Sequence, residues 1–373
     1  MRPITNRDNA ASVVETDLEH LVGVLGDVFE RYSGGRLLIT GGAGFLGYYM
    51  VQAPLAWNDA TDAASVDVVV VDNYKRGVPS WLEPLSGRSD LTLLEHDMRD
   101  PLPADLGDFD AIVHAAGIAS PHVYRKYPIE TMDANIDGLR TLLDHVEASG
   151  RGADRDFLFY SSSEIYGDPT PDAIPTPETY RGFVSCTGPR ACYDESKRYG
   201  ETLCVNFTRS RGVRTTIARP FNNYGPGMKI NDGRVIADFC RSVIRGEDIV
   251  MYSDGSPTRT FCYVADSVAG YYRVLANGVS GESYNVGTAA PEISMAELAR
   301  RVQHHAADLF GYEGQVVLGQ ANEADYLVDN PNRRCPDIAK ARREVGYDPV
   351  HGLDEGIRRT LLWYAEHRIG AGE

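Results

Sequence analysis

The chain has 373 residues, 43% of them hydrophobic, and a formal charge of -16. This length and apolar content predict a folded protein of one large or two modest domains, and the acidic balance argues against nucleic acid and anionic membranes as partners. The six cysteines show no C-x-x-C pairing and the histidines no paired metal spacing, so we expect no metal site and a reducing, cytoplasmic setting.

Residues 12–32 place apolar side chains at helical spacing, and the N-terminus is acidic where a signal peptide would be apolar. We predict an amphipathic helix capped by Thr16 or Asp17, within an N-terminal extension of residues 1–35. Its apolar stripe is expected to pack on the body of the protein or on another subunit. Because no apolar run approaches about 18 residues, no membrane span is expected.

Five short apolar segments follow, and segments of helical character such as 129–148 separate them. The predicted strands lie in the segments RLLIT, VDVVVVDN, LTLLEHD, DAIVHAAG and RDFLFYSSS. Strands that are apolar throughout and alternate with helices indicate a parallel sheet covered on both faces. The predicted fold class is therefore α/β, a Rossmann doubly wound parallel sheet.

The second half of the chain is less regular. It adds a strand in RTTIARP, a turn rich in Gly, Pro and Asn, and several amphipathic helices. We predict a Rossmann domain at 36–220, to which 259–290 returns. A smaller, interleaved C-terminal substrate-binding lobe takes 221–258 and 291–373.

The segment TGGAGFLG spaces three glycines at a strand-to-helix turn. Gly41, Gly44 and Gly47 permit a tight turn and a close approach of backbone to a pyrophosphate, and the following helix offers its N-terminal N–H groups. Glycines also occur in purely structural turns, but the position after an apolar strand favours a dinucleotide site. Phe45 and Leu46 belong to the same turn.

Acidic residues end the next two strands. The Asp72 carboxylate can accept hydrogen bonds from both hydroxyls of an adenosine ribose and would repel a 2'-phosphate, which favours NAD over NADP. Lys75 and Arg76 argue mildly for NADP, but solvated loop charges explain them better. Asp97 is a candidate for the adenine amine, and a turn-forming role is the alternative.

Tyr193 and Lys197 stand one helical turn apart in CYDESKRYG. On a helix this spacing brings both side chains to one face, where an ammonium can lie near a phenol. Taken alone, such a pair is more often a solvated helix face. It indicates chemistry only if other residues build a site around it.

The motifs TGGAGFLG, HAAG, SSSEIYG and YDESK occur here in one order. Over residues 36–365 the chain resembles the extended short-chain dehydrogenase/reductase family of nucleotide-sugar enzymes. Within that family it is most similar to the UDP-glucuronate decarboxylases. The segments that carry this similarity are SSSEIYGDP, PETYRG, CYDESKR, YGPGMKINDGRV, DGSPTRTFCYV and NRRCPDI.

The resemblance implies roles for five catalytic residues. Tyr193 would take the proton of the sugar C4 hydroxyl as hydride goes to NAD, Lys197 would lower the pKa of that phenol, and Ser162 would hydrogen-bond the same hydroxyl. Ser163 and Glu164 stand where the related 4,6-dehydratases have Asp-Glu, so no acid assists loss of water. Decarboxylation is therefore favoured over dehydration. Glu164 would orient the uronate or help to transfer the proton at C5, and the alternative is that Glu164 is a buried structural carboxylate.

The resemblance also implies further contacts and an assembly. The additional cofactor contacts would be Asn73, Met98, Ala115, Ala116 and Pro220, with Arg219 and Phe221 beside Pro220 where the nicotinamide pocket closes. The substrate, a nucleotide-diphosphate sugar, would meet Tyr124, Asn222, Arg234, Tyr252, Arg259 and Arg334, the arginines facing the diphosphate. A homodimer is expected, built from the helices that carry the Tyr/Lys pair and its neighbour.

The loop GIASPHVYRKYP departs from the decarboxylase pattern and brings Arg125 and Lys126 near the sugar entrance. This departure leaves open which nucleotide and sugar bind. It also keeps a 4- or 5-epimerase, acting through the same 4-keto intermediate, as the alternative. A binding protein without turnover is disfavoured by the intact Ser162, Tyr193 and Lys197.

Overall fold

The computed structural model describes Thr5, residues 8–319 and residues 328–367. The strands in these residues are β1 Arg36–Thr40, β2 Asp67–Asp72, β3 Leu91–Glu95, β4 Ala111–His114, β5 Asp156–Tyr160, β6 Thr215–Pro220, β7 Asn223–Tyr224, β8 Ile249–Met251, β9 Thr258–Arg259, β10 Cys262–Tyr263, β11 Ser283–Val286, β12 Ile293–Ser294, β13 Val316–Leu318 and β14 Arg333–Arg334. The helices are α1 Ala10–Arg31, α2 Gly47–Ala60, α3 Pro121–Lys126, α4 Pro128–Ala148, α5 Ala191–Arg211, α6 Val235–Arg245, α7 Val264–Asn277, α8 Met295–Phe310, α9 Ala339–Val345 and α10 Leu353–Glu366. Single 3-10 turns occur at Glu83–Leu85, Ala104–Leu106, Ser163–Tyr166 and Pro171–Ala173.

Seven strands form one parallel sheet in the order β3-β2-β1-β4-β5-β6-β11. The chain winds outward from β1 to β3 and then returns to β4 on the other side of β1. The connections after β1 and β4 therefore diverge, and such a switch point opens a crevice at the carboxyl ends of the strands. The predicted α/β Rossmann fold is confirmed.

Alternate side chains of the sheet enter two apolar cores, one on each face. Leu37 and Ile39 of β1 point into the core that α1, α2 and α7 share, whereas Leu38 points into the core below α4 and α5. Since helices cover both faces, the strands have no wet side. This explains why the sequence showed continuous apolar runs rather than alternation.

The N-terminal helix α1 begins earlier than predicted. Asn9 caps it: the Asn9 side chain accepts from the Ser12 N–H at 2.9 Å, and the Ser12 hydroxyl accepts from the Asn9 N–H at 2.9 Å. The predicted caps, Thr16 and Asp17, lie inside the helix and are buried, so that prediction was wrong. The apolar stripe packs on α2, α7 and α10 of the same chain.

Asp17 is the centre of a buried polar cluster, here called the Asp17 cluster, formed with Tyr49, Tyr263 and Arg359. The Asp17 carboxylate accepts hydrogen bonds from the phenols of Tyr49, at 2.6 Å, and Tyr263, at 2.5 Å, and from the guanidinium of Arg359, at 2.5 Å. Asp17 and Arg359 are both fully buried. Burial raises the pKa of Asp17 and the nearby Arg359 opposes that shift. The cluster ties α1 to α2, β10 and α10.

The shorter strands lie outside the main sheet. They form three small sheets, β10 with β7, β13 with β8, and β9 between β12 and β14. The strand β11, which joins the main sheet, comes from the predicted returning segment 259–290. The division into a Rossmann domain and a lobe stays a prediction, and parts of the predicted extents, 1–4, 6–7, 320–327 and 368–373, lie outside the described residues.

None of the helices formed by the described residues has both the length and the apolar character that a bilayer crossing needs.

Candidate active site

A crevice of about 1130 Å³ opens at the carboxyl ends of the central strands. Apart from Arg219 and Phe221, every residue predicted for catalysis, cofactor or substrate lines this crevice. Side chains from segments more than 200 residues apart in sequence, such as Asp72 and Arg334, therefore share one cavity. The solvated-face alternative for the Tyr193 and Lys197 pair is excluded, because both side chains are buried and line the crevice.

The glycine turn joins β1 to α2 and is packed against backbone. A Cβ on Gly47 would lie 2.0 Å from the Gly42 carbonyl oxygen, and one on Gly41, whose φ is +71°, would lie 2.7 Å from the Ala116 Cα. Glycine is thus required for the turn itself and for its contact with the end of β4. The first turn of α2 directs its N–H groups to the crevice side, which suits a phosphate group.

We therefore expect Gly47→Ala to disrupt the turn. The added methyl group meets backbone that has no room to move, so about 1–3 kcal/mol of overpacking strain is expected. The purified variant should unfold at a lower temperature and retain less NAD than the wild type. Absorbance of the released nucleotide and a thermal melt measure the two effects.

Gly23→Ala is the matched control, since a Cβ at this exposed position of α1 meets nothing within 4 Å. Alanine has the higher helix propensity, so the control should be as stable as the wild type or up to about 1 kcal/mol more stable. Equal NAD content and equal melting of Gly47→Ala and wild type would contradict the assigned packing.

Asp72 ends β2 with its carboxylate held in place. Its two oxygens accept from the N–H groups of Ala43, at 3.1 Å, and Tyr74, at 2.9 Å. Burial raises the pKa of Asp72, and these backbone hydrogen bonds oppose the shift. A dinucleotide needs a carboxylate for its ribose hydroxyls, and a glycine turn with a helix N-terminus for its pyrophosphate. The residues provide all three, so they fit NAD.

The charged loop residues near Asp72 have partners. Lys75 lies 3.4 Å from Asp97 and Arg76 lies 3.6 Å from Asp232, so the prediction of simple solvated charges was incomplete. Arg99 binds both oxygens of Asp97, at 3.0 and 2.9 Å. That hydrogen bonding, against a smaller opposing effect of burial, lowers the pKa of Asp97.

Tyr193 and Lys197 lie on one face of α5, as predicted. The Lys197 ammonium donates to the Tyr160 carbonyl at the end of β5, at 2.9 Å, and lies 5.9 Å from the centroid of the Tyr193 ring. The Tyr193 ring stacks on Tyr124, with centroids 5.1 Å apart and an interplanar angle of 9°. The phenol and the ammonium therefore lie on the same face of α5, and both residues line the crevice.

Burial dominates the electrostatics of this pair. It raises the pKa of Tyr193 to about 12, although a hydrogen bond with Ser162 acts in the other direction. Burial also lowers the pKa of Lys197 to about 8. The expected lowering of the phenol pKa by Lys197 is not produced by these side chains, because the ammonium is bonded to the Tyr160 carbonyl and desolvation of the phenolate is the larger effect.

Glu164 lies in the 3-10 turn after β5 and is held as a carboxylate. Its Oε2 is 2.6 Å from Nη2 of Arg190 and 2.5 Å from Nη2 of Arg334. Burial raises the pKa of Glu164, but these two guanidinium groups outweigh it and hold the value at about 2. Ser162 accepts from the Glu164 N–H at 3.2 Å, which fixes the turn. Glu164 therefore has no proton to give near neutral pH.

Arg190 is the functional candidate that the sequence argument missed. It directly precedes α5 and is buried against Glu164 and the Tyr124 ring. The available signal was its position three residues before Tyr193, which brings it to the same side of the helix. A single arginine outside any recognised motif does not by itself predict a functional site.

Arg334 lies at the Glu164 end of the crevice rather than in a separate diphosphate cluster. Asn222, whose φ is +41°, accepts from Arg334 at 3.2 Å and donates to the Thr260 carbonyl at 2.9 Å. The side-chain amide of Asn222, which was predicted to contact the substrate, therefore orients Arg334 in this structure.

The other predicted arginines differ in their surroundings. Arg259 is buried and donates to the carbonyls of Thr258, Asn332 and Pro331. Arg234 is one-third exposed, pairs with Asp232 at 3.1 Å and lies over the Phe45 ring of the glycine turn. Tyr252 lines the same crevice.

Of the three residues predicted to close the nicotinamide pocket, Pro220 lines the crevice whereas Arg219 and Phe221 do not. Arg219 instead forms an ion pair with Glu201 at 2.6 Å and donates to Tyr166. Phe221 packs with Ile165 and Tyr166 in a separate small cluster.

Comparison with known proteins agrees with this geometry. The model of the NAD dependent epimerase/dehydratase family matches residues 37–287. UDP-glucuronic acid decarboxylase 1 of Xenopus tropicalis is 37% identical over 88% of this chain and 72% of its own length. UDP-glucuronic acid decarboxylase 3 of Arabidopsis thaliana is 37% identical over 86% of each chain.

Solved structures with the same fold include two nucleotide-sugar enzymes. UDP-glucose 4-epimerase of Thermotoga maritima, with UDP-glucose, has a TM-score of 0.76 and 25% identity and covers 90% of this chain and 100% of its own. The dTDP-glucose 4,6-dehydratase DesIV of Streptomyces venezuelae, with NAD bound, has a TM-score of 0.74 and 27% identity over 89% and 98%. The glycine turn, the Tyr193 and Lys197 pair and these similarities lead to one conclusion: the chain belongs to the NAD dependent epimerase/dehydratase family.

Proposed function

We propose that this protein is an NAD-dependent decarboxylase of UDP-glucuronate, or of a related nucleotide uronate, acting through a 4-keto intermediate. The observation that carries the proposal is the pairing of Glu164 with Arg190 and Arg334 beside Tyr193 in the crevice. Two relatives at 37% identity that bear the name UDP-glucuronic acid decarboxylase support it.

Oxidation at C4 comes first. NAD bound in the crevice supplies the hydride acceptor for this step. Tyr193, hydrogen-bonded to Ser162, receives the proton of the C4 hydroxyl. Tyr193 accepts this proton as its phenolate, and Lys197 would act on that phenolate through the ribose of bound NAD rather than by direct contact, since its ammonium is bonded to the Tyr160 carbonyl.

Loss of carbon dioxide follows from the position of the new ketone. The C4 carbonyl is beta to the C6 carboxylate, so the electron pair of the C5–C6 bond moves into the ketone as carbon dioxide leaves. No acid is required for this step. Ser163 stands where a dehydratase would carry its acid, and Glu164 is ionised. Loss of water from C6 therefore lacks a proton donor, and a proton returns to C5 after decarboxylation.

The cations of the crevice divide between the two ends of the substrate. Arg190 and Arg334, which already bind one carboxylate, suit the uronate carboxylate. Arg234, Arg259 and Tyr252 remain for the nucleotide diphosphate. We assign 221–258, which contains α6, and 291–373 to a substrate lobe, beside the cofactor domain at 36–220 to which 259–290 returns.

We also infer a cytoplasmic homodimer, joined through α4 and α5. These helices pack on each other along one face of the sheet, and α5 carries the exposed Tyr199. Light scattering at micromolar concentration is expected to give the mass of two chains.

The function is tested by incubating the purified protein with UDP-glucuronate and NAD and identifying the products by mass spectrometry and NMR. We expect carbon dioxide and a nucleotide pentose. A six-carbon product would instead indicate the epimerase alternative. An unchanged substrate, across a panel of nucleotide uronates and hexoses, would contradict catalysis of this class.

A further inference from the structure

Asp194 is a buried carboxyl group directly behind the site. It follows Tyr193 on α5, is 5% exposed and does not line the crevice. Its Oδ2 lies 3.7 Å from Nε of Arg190, an ion-pair distance too long for a hydrogen bond. Its Oδ1 is buried without a hydrogen-bond partner among the described residues. A buried carboxyl so weakly satisfied needs an explanation.

Arg190 connects this carboxyl group to the reacting end of the crevice. Its Nη2 binds Glu164 at 2.6 Å while its Nε faces Asp194. Arg334 binds the same Glu164 oxygen from the other side. One guanidinium thus stands between a carboxylate inside the crevice and a carboxyl group behind it.

The charge of this group of residues depends on Asp194. Arg190 and Arg334 carry two positive charges, and Glu164 carries one negative charge. If Asp194 is protonated, the group has a surplus of one positive charge, and if it is ionised, there is no surplus. A substrate carboxylate meets a different field in each case.

We propose that Asp194 sets the charge of the uronate subsite, so that the preference of the crevice for a substrate carboxylate changes with pH. This inference rests on the proposed function, because it assumes that a nucleotide uronate binds beside Arg190 and Arg334. Asp194 is a specificity-determining residue that acts through Arg190 and does not touch the substrate.

The surroundings of Asp194 place its titration in the physiological range. Burial and the nearby Glu164 raise its pKa to about 8, against the opposing effect of Arg190. The charged or titratable groups that interact with it are Glu164, Arg190, Arg334, Glu195, Tyr124, Tyr193 and Cys192. Below that pH Asp194 is neutral and the surplus positive charge is larger. As pH rises through it, Asp194 ionises and uronate binding weakens.

The experiment compares two ligands that differ by the carboxylate, UDP-glucuronate and UDP-xylose. Dissociation constants are measured by calorimetry with NAD-loaded protein at about pH 7 and about pH 9.5, in a Tyr193→Phe background that does not consume the ligand. We expect the preference for UDP-glucuronate to fall about tenfold over this range, equivalent to a shift of about one unit in the pKa of Asp194. Titration of Lys197 affects both ligands at C4 and cancels in the ratio.

Asp194→Asn should hold the preference constant at its value near pH 7, because the amide carries no charge at any pH. Asp144→Asn, at an exposed position of α4, should behave like the parent. A pH-dependent ratio in Asp194→Asn would overturn the inference, as would an equal weakening of both ligands, which indicates a structural role only. Such failures leave carbon dioxide release intact, whereas absence of any uronate binding would reject the proposed function as well.

Discussion

Tyr193→Phe is expected to lower kcat by about 100- to 10,000-fold, the usual size of a general acid–base contribution. Phenylalanine keeps the stacking on Tyr124 but removes the oxygen that accepts the C4 proton. Since Lys197 and the glycine turn are untouched, the variant should still purify with NAD. The measurement is steady-state product formation together with the bound-nucleotide content.

Tyr199→Phe serves as the control, because Tyr199 lies on the same helix and is 49% exposed. It should retain the wild-type rate. If Tyr193→Phe also retained it, Tyr193 would not be the base, and the chemistry assigned to the crevice would be wrong.

Asp17→Asn should lower the free energy of unfolding by about 3 kcal/mol, because the buried Arg359 guanidinium loses its fully buried carboxylate and keeps the partly exposed Glu355, at 2.9 Å. Asp17 and Arg359 are both fully buried, and two phenols also donate to the Asp17 carboxylate. The loss is measured by denaturant unfolding.

Asp27→Asn is the matched control on the same helix. Asp27 pairs with Arg273 at 2.6 Å, but its side chain is 66% exposed. An exposed pair contributes about 0–1 kcal/mol, so this variant should be nearly neutral. Equal stabilities of the two variants would show that the Asp17 cluster does not hold α1 to the body.

The main sheet could be predicted because its information is local. Each strand is a short apolar run, and the runs alternate with helical segments, as β2 and the segment 129–148 show. The small sheets could not be predicted in the same way. The strands β9 and β14 are two residues long and pair Arg259 with Arg334, which lie far apart in sequence. Only the fold brings such pairs together.

Buried charges were the weakest part of the sequence argument. Asp17 was predicted to be a helix cap, because the residues next to it in sequence do not show that Arg359, 342 residues later, binds it. Arg190 was missed for the same reason. Both are single charged residues whose partners are fixed by tertiary structure.

The site was predictable where motifs carry it. The glycine turn, Asp72, the Ser162 turn and the Tyr193 and Lys197 pair all line one crevice, as the order of the motifs predicts. Their electrostatics was not predictable, because burial has the largest effect on the pKa of Tyr193 and the depth of burial cannot be read from the spacing between Tyr193 and Lys197.

The most direct test of the account uses UDP-glucuronate that carries deuterium at C4. If the C4–H bond breaks before carbon dioxide leaves, single-turnover release of carbon dioxide should be slower from this substrate than from the unlabelled one. Carbon dioxide released at the same rate from both, with no deuterium ever leaving C4, would contradict oxidation at C4 as the route to decarboxylation.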